Sequence, residues 1–135
     1  MILSPHCEDL LKVAHPDLAR VIHRAATNWH ETDTGFIVTS SGRTVAQERI
    51  MLAKGASTTM HSRHIIDATG HCYAVDLACT IHGQVNWSVP LYQHLAPIVK
   101  AAAVAEHVPI EWGGDWHSFH DYAHFQLPWA SYPSK

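Results

Sequence analysis

"SRHIIDATGHCYAVDLA", residues 62–78, sets one carboxylate in the middle of an apolar run, with His64 and His71 upstream of it. An ionised Asp in a half-buried strand is costly unless something positive sits beside it. Strand alternation puts Ala74 and Asp76 on one face and Val75 and Leu77 on the other. Asp76 therefore either faces water or meets a cation, and the small residue sharing its face suits the floor of a site. "DYAHFQL" (121–127) has a related arrangement, in which His124 opens a short strand three residues after Asp121. A histidine from a loop, an aspartate from a strand and a histidine from a second strand can converge on one Zn2+. Such a set leaves the fourth position to water, as in catalytic zinc sites.

The chain of 135 residues is expected to form one compact domain, with 47% hydrophobic and 16% charged residues. A formal charge of -3 and the lack of any Lys/Arg cluster argue against a nucleic-acid binder. Thirteen histidines make accidental ligand-like spacings common, so a bare His pair carries no argument. The three cysteines, Cys7, Cys72 and Cys79, do not form a disulfide framework and point to a reducing compartment. Cys72 and Cys79 flank Asp76, but without a CxxC pair they read as small buried hydrophobes rather than zinc thiolates. "MILSPHCEDLLKV" has neither a basic n-region nor a continuous apolar core, so a signal peptide is not expected. No window approaches the ~20 apolar residues of a membrane span.

Along the chain, Ser4-Pro5 and His15-Pro16-Asp17 open two helices. In the second, Leu18, Val21, Ile22, Ala25, Ala26 and Trp29 form a core stripe. "GFIVTS" (35–40) reads as a strand. Thr44 then caps a helix, with Gln47 as capping-box partner and Gly55 as terminator. A long polar loop over 55–72 leads to the strand "YAVDLAC" (73–79), and "GQVNWS" reads as a further strand or a turn. Ser88 and Pro90 start the longest helix, which Pro97 should kink or split. "PIEW" and "HFQL" are short strands bracketing "GGDWHSFHDYA". The order predicts an α+β fold, a small antiparallel sheet packed with helices around a zinc cleft.

HExxH, GxSxG, P-loop and dinucleotide glycine patterns are all absent. "HPDLARVIHRAA", "GRTVAQERIMLAKGAST", "SRH…G…AVDLA", "EWGGDW" and "FHDYAHFQLP" follow one another in an order that resembles the phage L-alanyl-D-glutamate peptidases. These are endolysins among the D-alanyl-D-alanine carboxypeptidase-like zinc peptidases, and the similarity spans nearly the whole chain. The resemblance implies zinc ligands at His64, Asp76 and His124, and a catalytic acid/base at Asp121. It places Arg43 and Ser62 near the substrate and the scissile carbonyl. One departure stands out: the family's compact SxHxxGxAxD is lengthened here by "IIDATGHCY", which makes His71 a rival to His64. His64 is preferred because Ser62-Arg63 marks it. Arg43 also reads as a surface charge at a helix start, and Trp112 and Trp116 read as cleft walls or as core, with cleft walls preferred. Asp115 is assigned no chemistry.

The expected function is therefore zinc-dependent hydrolysis of the L-Ala–D-Glu bond of peptidoglycan stem peptides, by a monomer that neither binds nucleic acid nor enters the membrane. A D-Ala-D-Ala carboxypeptidase of the same fold and a non-catalytic, zinc-containing wall-binding module are the alternatives. Residues 1–135 are expected to be the catalytic domain alone, without a separate wall-binding domain. The protein would wait in the host bacterial cytoplasm for a holin-type lesion before acting on the periplasmic wall.

Overall fold

The computed structural model describes residues 1–55 and 61–135. Helix α1 (Pro5–Val13) starts where the Ser4 hydroxyl accepts the Cys7 N–H, and α2 (Pro16–Thr27) starts where the His15 ring accepts that of Asp17. Both place proline in the first turn, where its missing N–H removes no helical bond. Strand β1 (Thr34–Ser40) leads into α3 (Val45–Ala53), which has the expected reciprocal cap: Thr44 Oγ1 accepts from Gln47 N–H, and Gln47 Oε1 accepts from Thr44 N–H. Strand β2 (Ala74–Ile81) turns through His82 and Gly83, both with positive φ, into the short β3 (Gln84–Val85). Helix α4 (Val89–Ala105) follows, then β4 (Glu111–Trp112) and β5 (His124–Gln126).

Helix α4 is not split at Pro97. Pro97 and Gln93, whose carbonyl loses its helical donor, are both exposed, so water can satisfy that oxygen. Meanwhile Leu95, Ala96 and Val99 remain buried on the core side and hold the helix in place.

The strands form one antiparallel sheet in the order β1-β2-β5-β4, with β3 paired to the far end of β2. Its register assigns the two faces. Val75, Phe125 and Trp112 stand opposite one another, as do Val38 and Leu77, and all are buried in the apolar core shared with α1, α2 and α4. The other face carries Ala74, Gln126 and Glu111 in one row and Asp76 and His124 in the next. Cross-strand partners share a face, so five residues from three strands line up beside one another there.

The segment before β2 is pinned rather than free. Of the loop expected over 55–72, residues 56–60 lie outside the described residues. From there on, the Arg43 N–H donates to the His64 carbonyl (2.7 Å), and the Ile66 N–H to that of Arg43 (2.8 Å). His15 N–H likewise donates to the Cys72 carbonyl and Cys72 N–H to that of Val13. Between these two clamps, Asp67–His71 forms a turn of its own, closed by the Asp67 N–H on the His71 carbonyl and by Gly70 at φ 83°. The turn stands outside the sheet.

Candidate metal centre

Three side chains meet on the polar face of the sheet. His64 Nε2, His124 Nδ1 and Asp76 Oδ1 lie 3.3–3.4 Å from one another. The point equidistant from three atoms so spaced is about 1.9 Å from each, just inside the roughly 2.0–2.2 Å of Zn–N and Zn–O bonds. Among the described residues this is the one group of three or more His, Cys, Asp or Glu side chains close enough to hold a metal ion.

The outer hydrogen bonds point the same way. His64 Nδ1–H donates to the Ser41 carbonyl (2.7 Å), and His124 Nε2–H donates to Gln126 Oε1 (2.8 Å). Each ring thus turns a lone pair, not a proton, toward the shared centre, which is how metal-ligating histidines are oriented. Asp76 Oδ1, facing those two lone pairs, is buried without a hydrogen-bond donor among the described residues. A buried carboxylate oxygen beside two imidazole lone pairs is an unfavourable arrangement that a cation relieves. The donor set fits a metal ion. His71 is elsewhere: its ring packs edge-on against His15, with centroids 5.9 Å apart.

Asp121 stands at the rim of this group. Its N–H donates to the Gly113 carbonyl (3.1 Å), and its own carbonyl accepts from His124 N–H (3.2 Å). Burial, and then the nearby Asp76 carboxylate, push its carboxyl above the usual value, with the histidines opposing. A carboxylate with a raised proton affinity beside a metal-binding group is suited to taking and returning a proton.

A cleft of about 560 Å³ opens over the three donor atoms. Arg43 lines one side, its Nη1 donating to Glu48 Oε2 (2.8 Å), and Glu48 itself is fully buried. Ser62 lines the cleft too, and its hydroxyl accepts the His64 N–H (3.1 Å), which shapes the turn presenting that ring. Trp116 packs its indole 5.1 Å from the His124 ring and forms an aromatic wall. Trp112 does not join it. The cleft wall expected of both tryptophans is corrected for Trp112, which is 8% exposed and packs in the core against Phe125. Alternation explains the difference: in the two-residue β4, Glu111 takes the cleft face and Trp112 the opposite one.

Several contributors were absent from the sequence reading. Gln126 orients His124 and donates in turn to Glu111 Oε2 (3.1 Å). Arg63 is buried beneath the cleft, its guanidinium between the rings of Tyr73 (4.2 Å) and Trp129 (4.1 Å). It donates to the carbonyls of Leu127 (3.1 Å) and Tyr132 (2.6 Å), tying the C-terminal segment beside His64. Extending the alternation used for "AVDLA" to "HFQ" would have put Gln126 on the face of His124. No local signal marks Arg63 as a buried tie. Cys72 and Cys79 are buried and free, and burial raises both thiols to about 11.

The fold and this site define a small α+β domain with a His-Asp-His metal-binding group on the floor of a cleft. Comparison with known proteins gives the family. The family model for the phage L-alanyl-D-glutamate peptidases matches residues 1–126. The L-Ala D-Glu endopeptidase ChiX of Serratia marcescens superposes with a TM-score of 0.84 at 34% identity, over 98% of this chain and 93% of that one. The L-alanyl-D-glutamate peptidase of Listeria phage A118 is 27% identical over 117 residues. That match takes in 86% of this chain but 39% of the relative, so the chain spans about two fifths of that protein's length. The chain belongs to the phage L-alanyl-D-glutamate peptidase family.

Proposed function

We propose that the protein is a zinc endopeptidase that cuts the L-Ala–D-Glu bond of peptidoglycan stem peptides, with His64, Asp76 and His124 as ligands. The observation that carries this reading is the triangle of three donor atoms 3.3–3.4 Å apart, with Asp121 at its edge. When bound, zinc supplies the Lewis acidity that acidifies a water molecule and polarises the scissile carbonyl. Asp121 accepts the proton of the attacking water and returns it to the departing amine. Arg43, steadied by Glu48, stabilises the developing negative charge on the carbonyl oxygen or grips a substrate carboxylate. Ser62 holds the turn that presents His64, and Trp116 shields the reacting atoms from water.

The protein acts as a monomer on the wall, reached through a lesion in the membrane made by another agent. In support, no helix among the described residues is long and apolar enough to cross a membrane. The ligand choice is tested by comparing His64→Ala with His71→Ala. The first should lose stoichiometric zinc and peptide hydrolysis together, and the second should keep both. The reverse result would move the metal site to the Asp67–His71 turn and reject the assignment.

A further inference from the structure

The polar face of the sheet continues past the metal-binding group to Glu111. The register aligns Ala74, Gln126 and Glu111 in the row next to Asp76 and His124. One strand step and two residues of offset separate the Cα atoms of His124 and Glu111 by about 8 Å. An extended peptide covers that distance in two to three residues. The cleft is thereby charged unevenly. Arg43 follows the outer strand β1 on one side of the three donor atoms, and Glu111 lies on the outer strand β4 on the other.

Glu111 lines the cleft and is half-buried. One of its oxygens, Oε2, accepts from Gln126 Nε2. Among the described residues no Lys, Arg or His side chain lies within ion-pair distance of it, whereas Glu48 and Glu106 pair with arginines and Glu8 and Glu31 with histidines. Arg63, on the same wall, spends its guanidinium on the carbonyls of Leu127 and Tyr132. Arg63 feels the Glu111 charge only at longer range, and a half-buried carboxylate kept in place by an amide without a direct ion-pair partner suits a cation brought by the substrate.

We propose that Glu111 is a specificity-determining residue that binds a side-chain ammonium on the substrate, two residues beyond the carbonyl held at the metal. This rests on the peptidase reading above. For a bond between the first and second residues of a stem peptide, the group it recognises is the free amine of a diamino acid in third position.

The test is equilibrium binding to zinc-loaded protein carrying Asp121→Asn, which stops turnover during the measurement. Two probes are used: a stem-peptide fragment with a third-position diamino acid, and the same fragment with its side-chain amine acetylated. With Glu111 in place, the free amine should bind roughly tenfold more tightly. Adding Glu111→Gln, which keeps the shape and an acceptor for Gln126, should bring that ratio close to one while zinc stays bound. Three results would overturn the proposal: no preference with Glu111 present, a preference that survives Glu111→Gln, or loss of zinc from the Gln variant, which would make Glu111 a support for the metal site. Failure of the unsubstituted protein to hydrolyse the free-amine peptide would reject the peptidase reading instead, and is scored separately from the binding ratio.

Discussion

Gly113→Ala gives a direct handle on the position of Asp121. An added Cβ at residue 113 would lie 2.3 Å from the Asp121 carbonyl oxygen and 3.0 Å from its Cβ. Ordinary close C···O contacts fall near 3.3–3.6 Å, so about 1 Å of separation has to be found. Both obstructing groups belong to or adjoin backbone, and the Asp121 N–H is bonded to the Gly113 carbonyl itself. The strands on either side are anchored by pairing to β2 and β5, so the movement falls on Asp121. A misplacement of that size costs on the order of a hundredfold in rate. Overpacking of this kind costs roughly 1–3 kcal/mol of stability. The assay is kcat/KM on a stem peptide well below the melting temperature, with zinc content and Tm measured alongside. The expected result is a loss of about a hundredfold in kcat/KM with zinc still bound and Tm lowered by several degrees. Gly70→Ala is the control: its φ of 83° makes it strained, but no atom lies within 4 Å of its added Cβ, so stability should fall without that loss of rate. Gly113→Ala protein with unchanged kcat/KM and Tm would refute the claim that this contact positions Asp121.

Asp121→Asn should leave zinc near one per chain and cut hydrolysis by about 10²–10⁴-fold; loss of the metal would make Asp121 a ligand. Gln126→Leu leaves the buried His124 Nε2–H without its acceptor, and competition with a chelator should show zinc affinity reduced by about 10–100-fold. Asp67 tests acid stability: burial favours its neutral form, but donors from Thr69, Tyr73 and the Lys135 N–H outweigh that and hold its carboxyl well below the usual range. A depressed carboxylate stabilises the fold above its unfolded value near 3.8 and loses that contribution as pH falls below it, so Asp67→Asn should flatten the decline of Tm with falling pH below about 4. Cys72 and Cys79, buried with thiols raised to about 11, should resist alkylation at pH 8 until the protein unfolds.

Local chemistry made the helices legible in the sequence. Ser4-Pro5, Pro16 and the Thr44–Gln47 box are short-range signals, and each starts a helix where it stands. Asp76 was legible because an eight-residue strand shows its alternation by itself. Trp112 and Glu111 were not: two residues carry no period, and their faces are decided by pairing with Phe125 and Gln126. Of the two outcomes open at Pro97, the split does not occur, because the cost of breaking the helix depends on whether the freed carbonyl is wet, which the sequence does not state. The choice between His64 and His71 is likewise long-range. It depends on the Arg43–Ile66 clamp and on the turn at Asp67–His71 that follows it.

The central claim is that this His-Asp-His site hydrolyses one particular bond of the wall. Mass spectrometry of purified peptidoglycan digested by zinc-loaded protein, by metal-stripped protein and by His64→Ala tests it most directly. The zinc-loaded protein alone should release new amino-terminal D-Glu and free carboxy-terminal L-Ala. Equal amounts of those products from the stripped protein, or release of D-Ala in their place, would contradict it.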